Sequence, residues 1–496
     1  MSDVQRPNLL LIMADQLAAQ WLPAYGHPIV QAPALDELAA RGVVYESAYC
    51  ASPLCAPARA ALLTGRLASH VEVYDNAAEL RASVPTVAHR LRSEGYATCL
   101  AGKMHFVGPD QLHGFEERLT TDIYPADLDW TPDWLLDPGE PLPWYHTMES
   151  VLRPGVCAAS MQMDYDEEVA FRAARKLFDL ARRRPPEPFF MCVSFTHPHD
   201  PWELRPRYWE RYDRAAIDLP GSGPATDPHS RRLRAMCGAD AVELDDEQLR
   251  RARHAYYAAV SYADERIAEV LGALRDGGLA DDTVVVFTSD HGEMLGERGL
   301  WYKMSFFEAS ARVPLIVSAP GRLSPGRVAH PVSHLDVVPT LLELAGVAGD
   351  ADLDGVSLLS GASGRDVVSE YLAEGVQAPA VMIRRGAHKY IGCEGDPEQL
   401  YDLAADPGEL TNLAADPDHA ELCASLRAAA AERWDLAELR ERVLRSQRER
   451  RLVARGLGRG ARTGWDFQPH VDASRQYVRT RSDLYELQRR ARLDAT

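Results

Sequence analysis

Short apolar segments rich in β-branched residues alternate with amphipathic helical patterns along the first three hundred residues. The strand-like segments are residues 8–14, 96–101, 189–196 and 283–289. The helical patterns cover residues 84–94, 164–184 and 246–275, and Gly277 with Gly278 provides a stop for the last of them. This alternation predicts an α/β fold with a large, mostly parallel sheet sandwiched by helices.

Charged and imidazole-bearing side chains follow each of the four predicted strands. These side chains are Asp15 with Gln16, Lys103 with His105, His197 with His199 and Asp200, and Asp290 with His291. Open α/β sheets place their sites at the carboxyl ends of the strands, so we expect these residues to meet at one edge.

The pattern changes after residue 361. Residues 367–372, 380–384 and 388–393 alternate as strands of a small antiparallel sheet, and residues 421–455 are expected to be helical. We therefore divide the chain into a catalytic domain (1–362), a C-terminal small-sheet subdomain (363–425) and a helical region with a tail (426–496). We expect the last part to take part in oligomer contacts.

The charge and the N-terminal sequence exclude several classes of protein. A net charge of −19 disfavours nucleic-acid binding and adsorption to anionic membranes. The apolar run at residues 9–14 is too short for a signal peptide or a membrane span. We therefore expect a cytoplasmic protein whose eight cysteines stay reduced.

Cys55 stands in the string Cys55-Ala56-Pro57-Ala58-Arg59, a Cys-x-Pro-x-Arg arrangement. A modifying enzyme reads this signature when it oxidises a cysteine to formylglycine, whose hydrated aldehyde is a nucleophile that ordinary side chains lack. The alternative is a free thiol at the start of a helix, where its pKa is lowered.

The chain resembles the type I sulfatases of the alkaline phosphatase-like superfamily. The resemblance rests on the Cys55 string, on the following Leu63-Thr64-Gly65-Arg66 and on Gly102-Lys103-Met104-His105, and it extends over essentially the whole chain. It implies that a formylglycine-generating enzyme converts Cys55 to formylglycine. It also implies a smaller C-terminal antiparallel sheet.

The resemblance further implies one divalent cation bound by five positions: Asp15, Gln16, formylglycine at Cys55, Asp290 and His291. Gln16 stands where most sulfatases carry a second Asp, and His291 where most carry Asn or Gln. Carboxylates suit Ca²⁺ or Mg²⁺, whereas an imidazole ligand favours Mn²⁺. We favour Ca²⁺ because it is usual in the family.

Five further residues match catalytic positions of the family. Arg59, Lys103 and Lys303 match the cations that hold the diol and the sulfate. His105 matches the base that deprotonates the diol, and His197, with Lys303, the proton donor to the leaving oxygen. In the implied reaction one diol hydroxyl attacks sulfur and expels the alcohol. Deprotonation of the other hydroxyl then releases sulfate.

Longer strings, at residues 52–59, 73–79 and 102–127, resemble the sulfatases that act on choline-O-sulfate. A quaternary ammonium is recognised by aromatic faces and carboxylates, and aromatic residues are frequent between positions 124 and 146. We expect Trp130 to form a wall of the choline site, lined also by Asn76, His146 and Glu374. Asp466, in a tail that also resembles these sulfatases, is expected to reach this site in a neighbouring subunit of a homodimer or homotetramer.

Two other functions stay open from the sequence. A phosphonate or phosphate ester hydrolase of the same superfamily would hold its anion with the same cations. A choline-ester binding protein or an inert homologue would keep Cys55 as a thiol, and the peptide mass at that position separates this alternative from the enzyme.

Overall fold

The structure is a computed structural model that describes residues 6–137, 146–183, 187–221, 223–349, 351–361 and 363–459, together with Asp483 and Tyr485. Within these residues, no helix combines the length and the apolar character needed to cross a bilayer. All eight cysteines are described, and all are free thiols.

The strands of the described residues are β1 (Asn8–Ala14), β2 (Val43–Tyr45), β3 (Ala48–Tyr49), β4 (Ala97–Gly102), β5 (Glu117–Arg118), β6 (Gly155–Val156), β7 (Phe189–Ser194), β8 (Glu203–Leu204), β9 (Thr283–Ser289), β10 (Arg312–Val313), β11 (Leu315–Ser318), β12 (Gly326–Val328), β13 (Val332–Ser333), β14 (Val367–Tyr371), β15 (Ala380–Arg385), β16 (His388–Cys393) and β17 (Gln399–Asp402). The helices are α1 (Pro33–Arg41), α2 (Cys55–Thr64), α3 (Ala68–Val71), α4 (Val87–Ser93), α5 (Glu149–Leu152), α6 (Met161–Ala181), α7 (Pro206–Trp209), α8 (Pro228–Cys237), α9 (Asp246–Asp276), α10 (Glu308–Ala311), α11 (Val337–Ala345), α12 (Ala420–Arg433) and α13 (Leu436–Leu457).

An eight-stranded sheet organises the larger part of the chain, in the order β12-β2-β11-β9-β1-β7-β4-β5. β4, β7, β1 and β9 are neighbours and run parallel, and only the pairs made by β11 are antiparallel. The expected α/β fold with a mostly parallel sheet is confirmed.

The central strands are buried on both faces. Every residue of β7 and β9 is buried, as the uninterrupted apolar runs of these strands indicate. Helices α1 and α6 both pack on α9, and α2, α4 and α11 pack on one another as a second group. All four strands expected from the sequence are present in this core.

The prediction of a helix over residues 421–455 is wrong in one respect, because the structure has two helices there, α12 and α13. Trp434 is extended between them, and its indole Nε1 donates to Glu370 Oε2 at 3.1 Å. Asp435 then caps α13 by accepting from the backbone N–H of Glu438. A boundary after residue 425 would cut α12, so we propose Trp434 as the division between the last two parts.

The C-terminal sheet has the order β14-β15-β16-β17 with antiparallel neighbours, as expected. A buried ionic junction ties it to the larger part of the chain. Lys389 Nζ, on β16, lies 2.7 Å from Glu308 Oε1 and 2.8 Å from Glu409 Oε1, and the Lys389 side chain is fully buried. The other oxygen of Glu409 accepts from the backbone N–H of Glu308 at 2.7 Å.

We expect Lys389→Met to lower the free energy of unfolding by about 3–5 kcal/mol, because it leaves two buried carboxylates without their shared cation. Urea unfolding measures this loss. Arg172→Met is the control: it removes an exposed pair with Glu168 and is expected to change stability by less than about 1 kcal/mol. Equal losses in both variants would show that the junction does not stabilise the fold.

Candidate active site

The carboxyl ends of β4, β7, β1 and β9 meet at one edge of the sheet, which confirms the expected clustering of polar side chains. Gly102 closes β4 with a φ of +104°, and a Cβ at this position would lie 1.9 Å from the carbonyl oxygen of Ser194. Only glycine therefore allows β4 and β7 to approach so closely just before Lys103.

Cys55 is the first residue of α2 and is buried at the centre of this edge, with 2% of its surface exposed. Its Sγ lies 3.1 Å from His291 Nε2. Burial opposes ionisation of the thiol, but the positive charges of Lys103, Lys303 and His291 outweigh it and hold the Cys55 pKa well below its usual value. The electrostatic field at position 55 therefore favours a negatively charged atom.

Arg59 lies one turn further along α2 and is completely buried. Its Nε donates to Asp290 Oδ2 at 2.8 Å, and its Nη1 donates to the Lys103 carbonyl at 2.6 Å and to Ser194 Oγ at 2.8 Å. Lys103, also fully buried, pairs with Asp15. Buried charges persist only when they are paired, and here each cation contacts a carboxylate.

Asp15, Cys55, Asp290 and His291 form a group whose potential ligand atoms all lie within 4.8 Å of one another. The Oδ1 atom of Asp15 is buried and accepts no hydrogen bond from the residues that the structure describes. His291 Nε2 lies 3.6 Å from Asp290 and 3.9 Å from Asp15. An unsatisfied carboxylate oxygen among further donors fits a divalent cation, so this group could hold a metal.

The Gln16 side chain is engaged by groups outside that cluster. Its Oε1 accepts from Lys303 Nζ at 2.5 Å, and its Nε2 donates to Glu293 Oε2 at 2.6 Å and to Asp200 Oδ1 at 3.3 Å. The backbone N–H of Gln16 donates to Asp290 Oδ1 at 3.1 Å. These contacts connect the residue to the predicted metal position only through the backbone.

The segments that carry the catalytic candidates contain strained backbone. Gln16, His105, Tyr302 and Met304 all have φ between 56° and 72°, the left-handed region that non-glycine residues rarely adopt. Tyr302 and Met304 flank Lys303, which thereby enters the site from a tightly bent segment. Such strain concentrates at sites where side-chain placement is over-determined.

His105 lines the cavity beside Cys55 and is close enough to help lower the pKa of its thiol, and its two buried ring nitrogens have no further hydrogen-bond partner among the described residues. Its ring stacks on Tyr124 at 5.5 Å between centroids and meets the edge of Trp130 at 5.8 Å. Asp122 holds the backbone in place by accepting from the N–H of His105 at 2.9 Å. The imidazole is thus free to exchange a proton with a ligand.

His197 and His199 differ in position from the expectation. His197 Nδ1 lies 2.8 Å from Asp166 Oδ2, its ring packs against Tyr262, and it is absent from the described lining of the cavity. His199 does line the cavity, and its Nε2 lies 2.9 Å from Lys303 Nζ. The structure therefore brings the second histidine of the His-Pro-His string, not the first, to the predicted proton donor Lys303.

A cavity of about 490 Å³ opens beside Cys55. It brings together seven of the residues expected from the sequence: Cys55, Asn76, His105, Trp130, His146, Lys303 and Glu374. Arg59, Lys103 and the metal candidates lie behind Cys55, among the buried strand ends. Asp466 lies outside the described residues.

The cavity lining also carries aromatic rings and a carboxyl group. His146 stacks on Tyr302 at 4.2 Å between centroids, and burial lowers its pKa to about 4. Glu374 Oε2 is buried and accepts no hydrogen bond from the described residues. Burial, reinforced by the negative charge of Asp75, raises the pKa of Glu374 to about 8.

Tyr124 is the residue of the site that the sequence analysis did not single out. Its Oη lies 3.2 Å from His199 Nδ1, and its ring lies 4.2 Å from Lys103 Nζ. Burial raises its pKa well above the usual value, so the phenol keeps its proton. Tyr124 stands at the start of the aromatic run that contains Trp130, which is the only sign of its role in the sequence. The run does not indicate which of its rings face the cavity.

Models of three protein families match the chain. The sulfatase model matches residues 7–347, the model of the N-sulphoglucosamine sulphohydrolase C-terminal region matches residues 296–434, and the choline sulfatase C-terminal model matches residues 441–493.

Individual proteins are similar over nearly the whole chain. A choline-sulfatase of Rhizobium meliloti (strain 1021) is 47% identical over 97% of this chain and 98% of its own length. An arylsulfatase of Clostridium perfringens is 29% identical over 80% of this chain and 90% of its own. The crystal structure of a phosphonate monoester hydrolase of Agrobacterium radiobacter aligns with a TM-score of 0.69 at 28% identity, covering 88% of this chain and 96% of that chain.

We expect Ca²⁺ or Mn²⁺ to raise the Tm of metal-free protein, because only the folded state gathers the Asp15 and Asp290 carboxylates. At a cation concentration of a hundred times Kd, the gain in the free energy of unfolding is about 2.7 kcal/mol. Calorimetric unfolding with each cation measures it. Asp290→Asn should remove most of the gain, whereas Asp110→Asn, outside the group, should preserve it. Unfolding that is insensitive to Ca²⁺, Mg²⁺ and Mn²⁺ would contradict a metal site here.

Proposed function

We propose, because the chain belongs to the sulfatase family and within it to the choline sulfatases, that it hydrolyses choline-O-sulfate to choline and sulfate. One observation of the structure carries the proposal. A single cavity joins Cys55 and its cations to a wall with Trp130 and Glu374. The substrate is a zwitterion, and this cavity offers cations to its sulfate group and an aromatic face and a carboxyl group to its ammonium group.

Cys55 is the proposed nucleophile position after conversion to formylglycine by a formylglycine-generating enzyme. The hydrated aldehyde supplies hydroxyl groups that attack sulfur. The chain supports this chemistry at position 55 by the cations that already favour negative charge there. His105 lines the cavity next to position 55, and its ring nitrogens have no other partner among the described residues, so it is placed to remove a hydroxyl proton.

Arg59, Lys103 and Lys303 form the proposed anion site. Arg59 and Lys103 are immobilised by Asp290 and Asp15, so their positive charges are positioned before the substrate arrives. Lys303 uses two of its three N–H groups on Gln16 and His199 and keeps the third for the cavity. Preorganised cations of this kind stabilise the charge that develops on sulfuryl oxygens.

Asp15, Asp290 and His291 would hold the divalent cation together with the modified residue 55. When bound, the cation adds positive charge beside the sulfuryl group and the nucleophile. Gln16 Oε1 accepts from Lys303, so Gln16 acts as the proposed metal ligand when this oxygen leaves Lys303 and binds the cation instead.

Lys303 is the proposed proton donor to the leaving oxygen, and His199, in place of His197, is the residue proposed to orient its ammonium group. An ammonium has donors only, so Lys303 donates to His199 Nε2, and Nδ1 carries the histidine proton. That N–H donates to the carbonyl oxygen of Asp200 at 2.7 Å. Because Nδ1 carries a proton, Tyr124 Oη at 3.2 Å cannot donate to it and can only accept. The Tyr124 O–H is therefore available to donate to the ligand.

Trp130, Asn76, His146 and Glu374 are the proposed residues around the trimethylammonium group. A quaternary ammonium donates no hydrogen bond, so it favours an aromatic face and a carboxylate whose oxygen is unpaired. Glu374 meets the second requirement. We further propose that Asp466 completes this site from a neighbouring subunit, within a homodimer or homotetramer.

A phosphonate or phosphate ester hydrolase is the second candidate. It is favoured by the likeness to the Agrobacterium radiobacter structure and by an anion site whose cations do not distinguish sulfur from phosphorus. The ammonium end of the cavity favours choline-O-sulfate over a simple phosphonate, because a phosphonate monoester need not carry a cation.

We expect Cys55→Ala to lower kcat/KM for choline-O-sulfate more than about a thousandfold, because no neighbouring side chain can replace the nucleophile. Sulfate release measures the loss, and the peptide mass of the native protein shows whether residue 55 carries an aldehyde. Cys157→Ala, at a half-buried free thiol outside the described cavity lining, is the control and should keep full activity. Undiminished turnover by the Cys55→Ala protein would contradict the proposal.

We expect KM for choline-O-sulfate, relative to an aryl sulfate, to fall by about tenfold between pH 6 and 7 and by about fivefold between pH 7 and 8. Glu374 is neutral below its raised pKa of about 8 and ionised above it, and the cationic substrate selects the ionised form. Dividing by the aryl sulfate value removes titrations that both substrates share. Glu374→Gln should abolish the slope, and a slope that persists in this variant would assign it to another group.

A further inference from the structure

We propose that Arg450 is the positioning residue that sets choline selectivity, by holding together the loops that carry the residues around the ammonium group. The inference rests on the proposed function for the identity of the substrate. Its structural content is that α13, far from Cys55 in sequence, fixes three separate segments of the cavity wall.

The first contact fixes the loop of Asn76. Arg450 Nη1 and Nη2 donate to Asp75 Oδ1 and Oδ2 at 2.6 and 2.7 Å, a bidentate pair in which Asp75 is fully buried. Asp75 Oδ1 also accepts from the backbone N–H of Ala77 at 2.9 Å. The Asn76 side chain, held between these two residues, accepts from the backbone N–H of Ala56 at 2.9 Å, next to Cys55.

The second contact fixes the loop of Trp130. The same Nη1 of Arg450 lies 3.3 Å from Thr131 Oγ1, and this hydroxyl donates to the carbonyl oxygen of Leu128 at 2.7 Å. Trp130 directly precedes Thr131 and lies within the turn that this hydrogen bond closes. One guanidinium thus links the segments that carry Asn76 and Trp130, both of which line the cavity.

The third contact comes from Gln447, one turn before Arg450 on α13. Its Oε1 accepts from the backbone N–H of Trp134 at 3.0 Å, and the Trp134 indole donates to the carbonyl oxygen of Ala373 at 2.6 Å. Ala373 precedes Glu374. α13 therefore acts on Asn76 and Trp130 through Arg450, and on Glu374 through a chain of two hydrogen bonds.

The charge balance supports the same role. Asp75 is a negative charge close enough to Glu374 to raise its pKa. Arg450 compensates Asp75, so its removal would place an unpaired carboxylate beside the ammonium site and would release two loops at once. Without Arg450 the loops that carry Asn76 and Trp130 lose their common contact, so the site loses the shape that discriminates a trimethylammonium from a planar aryl group.

The test compares Arg450→Met, Arg450→Lys and Arg451→Met in the full-length protein. Arg451 is the matched control, since it neighbours Arg450 on α13 but pairs with Asp133 from a side chain that is 44% exposed. We expect Arg450→Met to lower the ratio of kcat/KM for choline-O-sulfate to that for an aryl sulfate at least tenfold, through KM. Arg450→Lys should recover part of the ratio, and Arg451→Met should leave it unchanged.

Because Asp75 is buried, Arg450→Met could lose activity by unfolding, so the double variant Asp75→Asn with Arg450→Met is measured as well. It restores charge balance without restoring the bidentate contact, and the lowered ratio should persist in it. A wild-type ratio in the double variant, or an equal loss on both substrates, would overturn the positioning role.

A substrate-independent readout separates this inference from the proposed function. With 5-fluorotryptophan incorporated, the ¹⁹F resonance of Trp130, identified by its loss in Trp130→Phe, should shift or broaden in Arg450→Met and not in Arg451→Met. An unchanged resonance refutes the positioning role. A shifted resonance in a protein that shows no preference for choline-O-sulfate refutes the proposed substrate and leaves the positioning role standing.

Discussion

The guanidinium of Arg59 contacts the ends of all four central strands. It donates to Asp290 after β9, to the carbonyl oxygen of Lys103 after β4 and to Ser194 at the end of β7, and it lies 3.5 Å from Asp15 after β1. Removing a paired, fully buried cation leaves uncompensated carboxylates, which is strongly destabilising. The strand ends can therefore carry two adjacent carboxylates because α2, which begins at Cys55, delivers this charge beside that of Lys103.

This arrangement divides the cavity into two electrostatic ends. Behind Cys55, cations held by Asp15 and Asp290 form a fixed positive region that suits the sulfuryl oxygens. At the other end, Trp130 and Glu374 offer a π-face and a carboxyl group without a partner among the described residues. The segments that carry Trp130 and Glu374 are attached to the C-terminal helix α13, which reaches them through Arg450 and Gln447.

Much of this fold followed from local pattern, because the central strands are buried on both faces and their polar neighbours come directly after them. The metal candidates Asp15 and Asp290 were visible for that reason. Contacts that join distant parts of the chain were not visible, since no periodicity relates Asp75 to Arg450. The choice between His197 and His199 also needed coordinates, because two residues on one tight turn face different directions. The break at Trp434 had a readable signal in the Asp435 cap, which the helical pattern on both sides obscured.

The central claim is that one cavity recognises a sulfate group and a quaternary ammonium together. It is tested most directly by specificity constants for choline-O-sulfate, an aryl sulfate and phosphocholine, using protein whose residue 55 is verified as formylglycine by peptide mass. The account predicts a kcat/KM for choline-O-sulfate that exceeds both others by about a hundredfold or more, equivalent to roughly 2.7 kcal/mol of transition-state stabilisation. Comparable values for the aryl sulfate would contradict recognition of the ammonium, and a preference for phosphocholine would contradict the assignment of the anion.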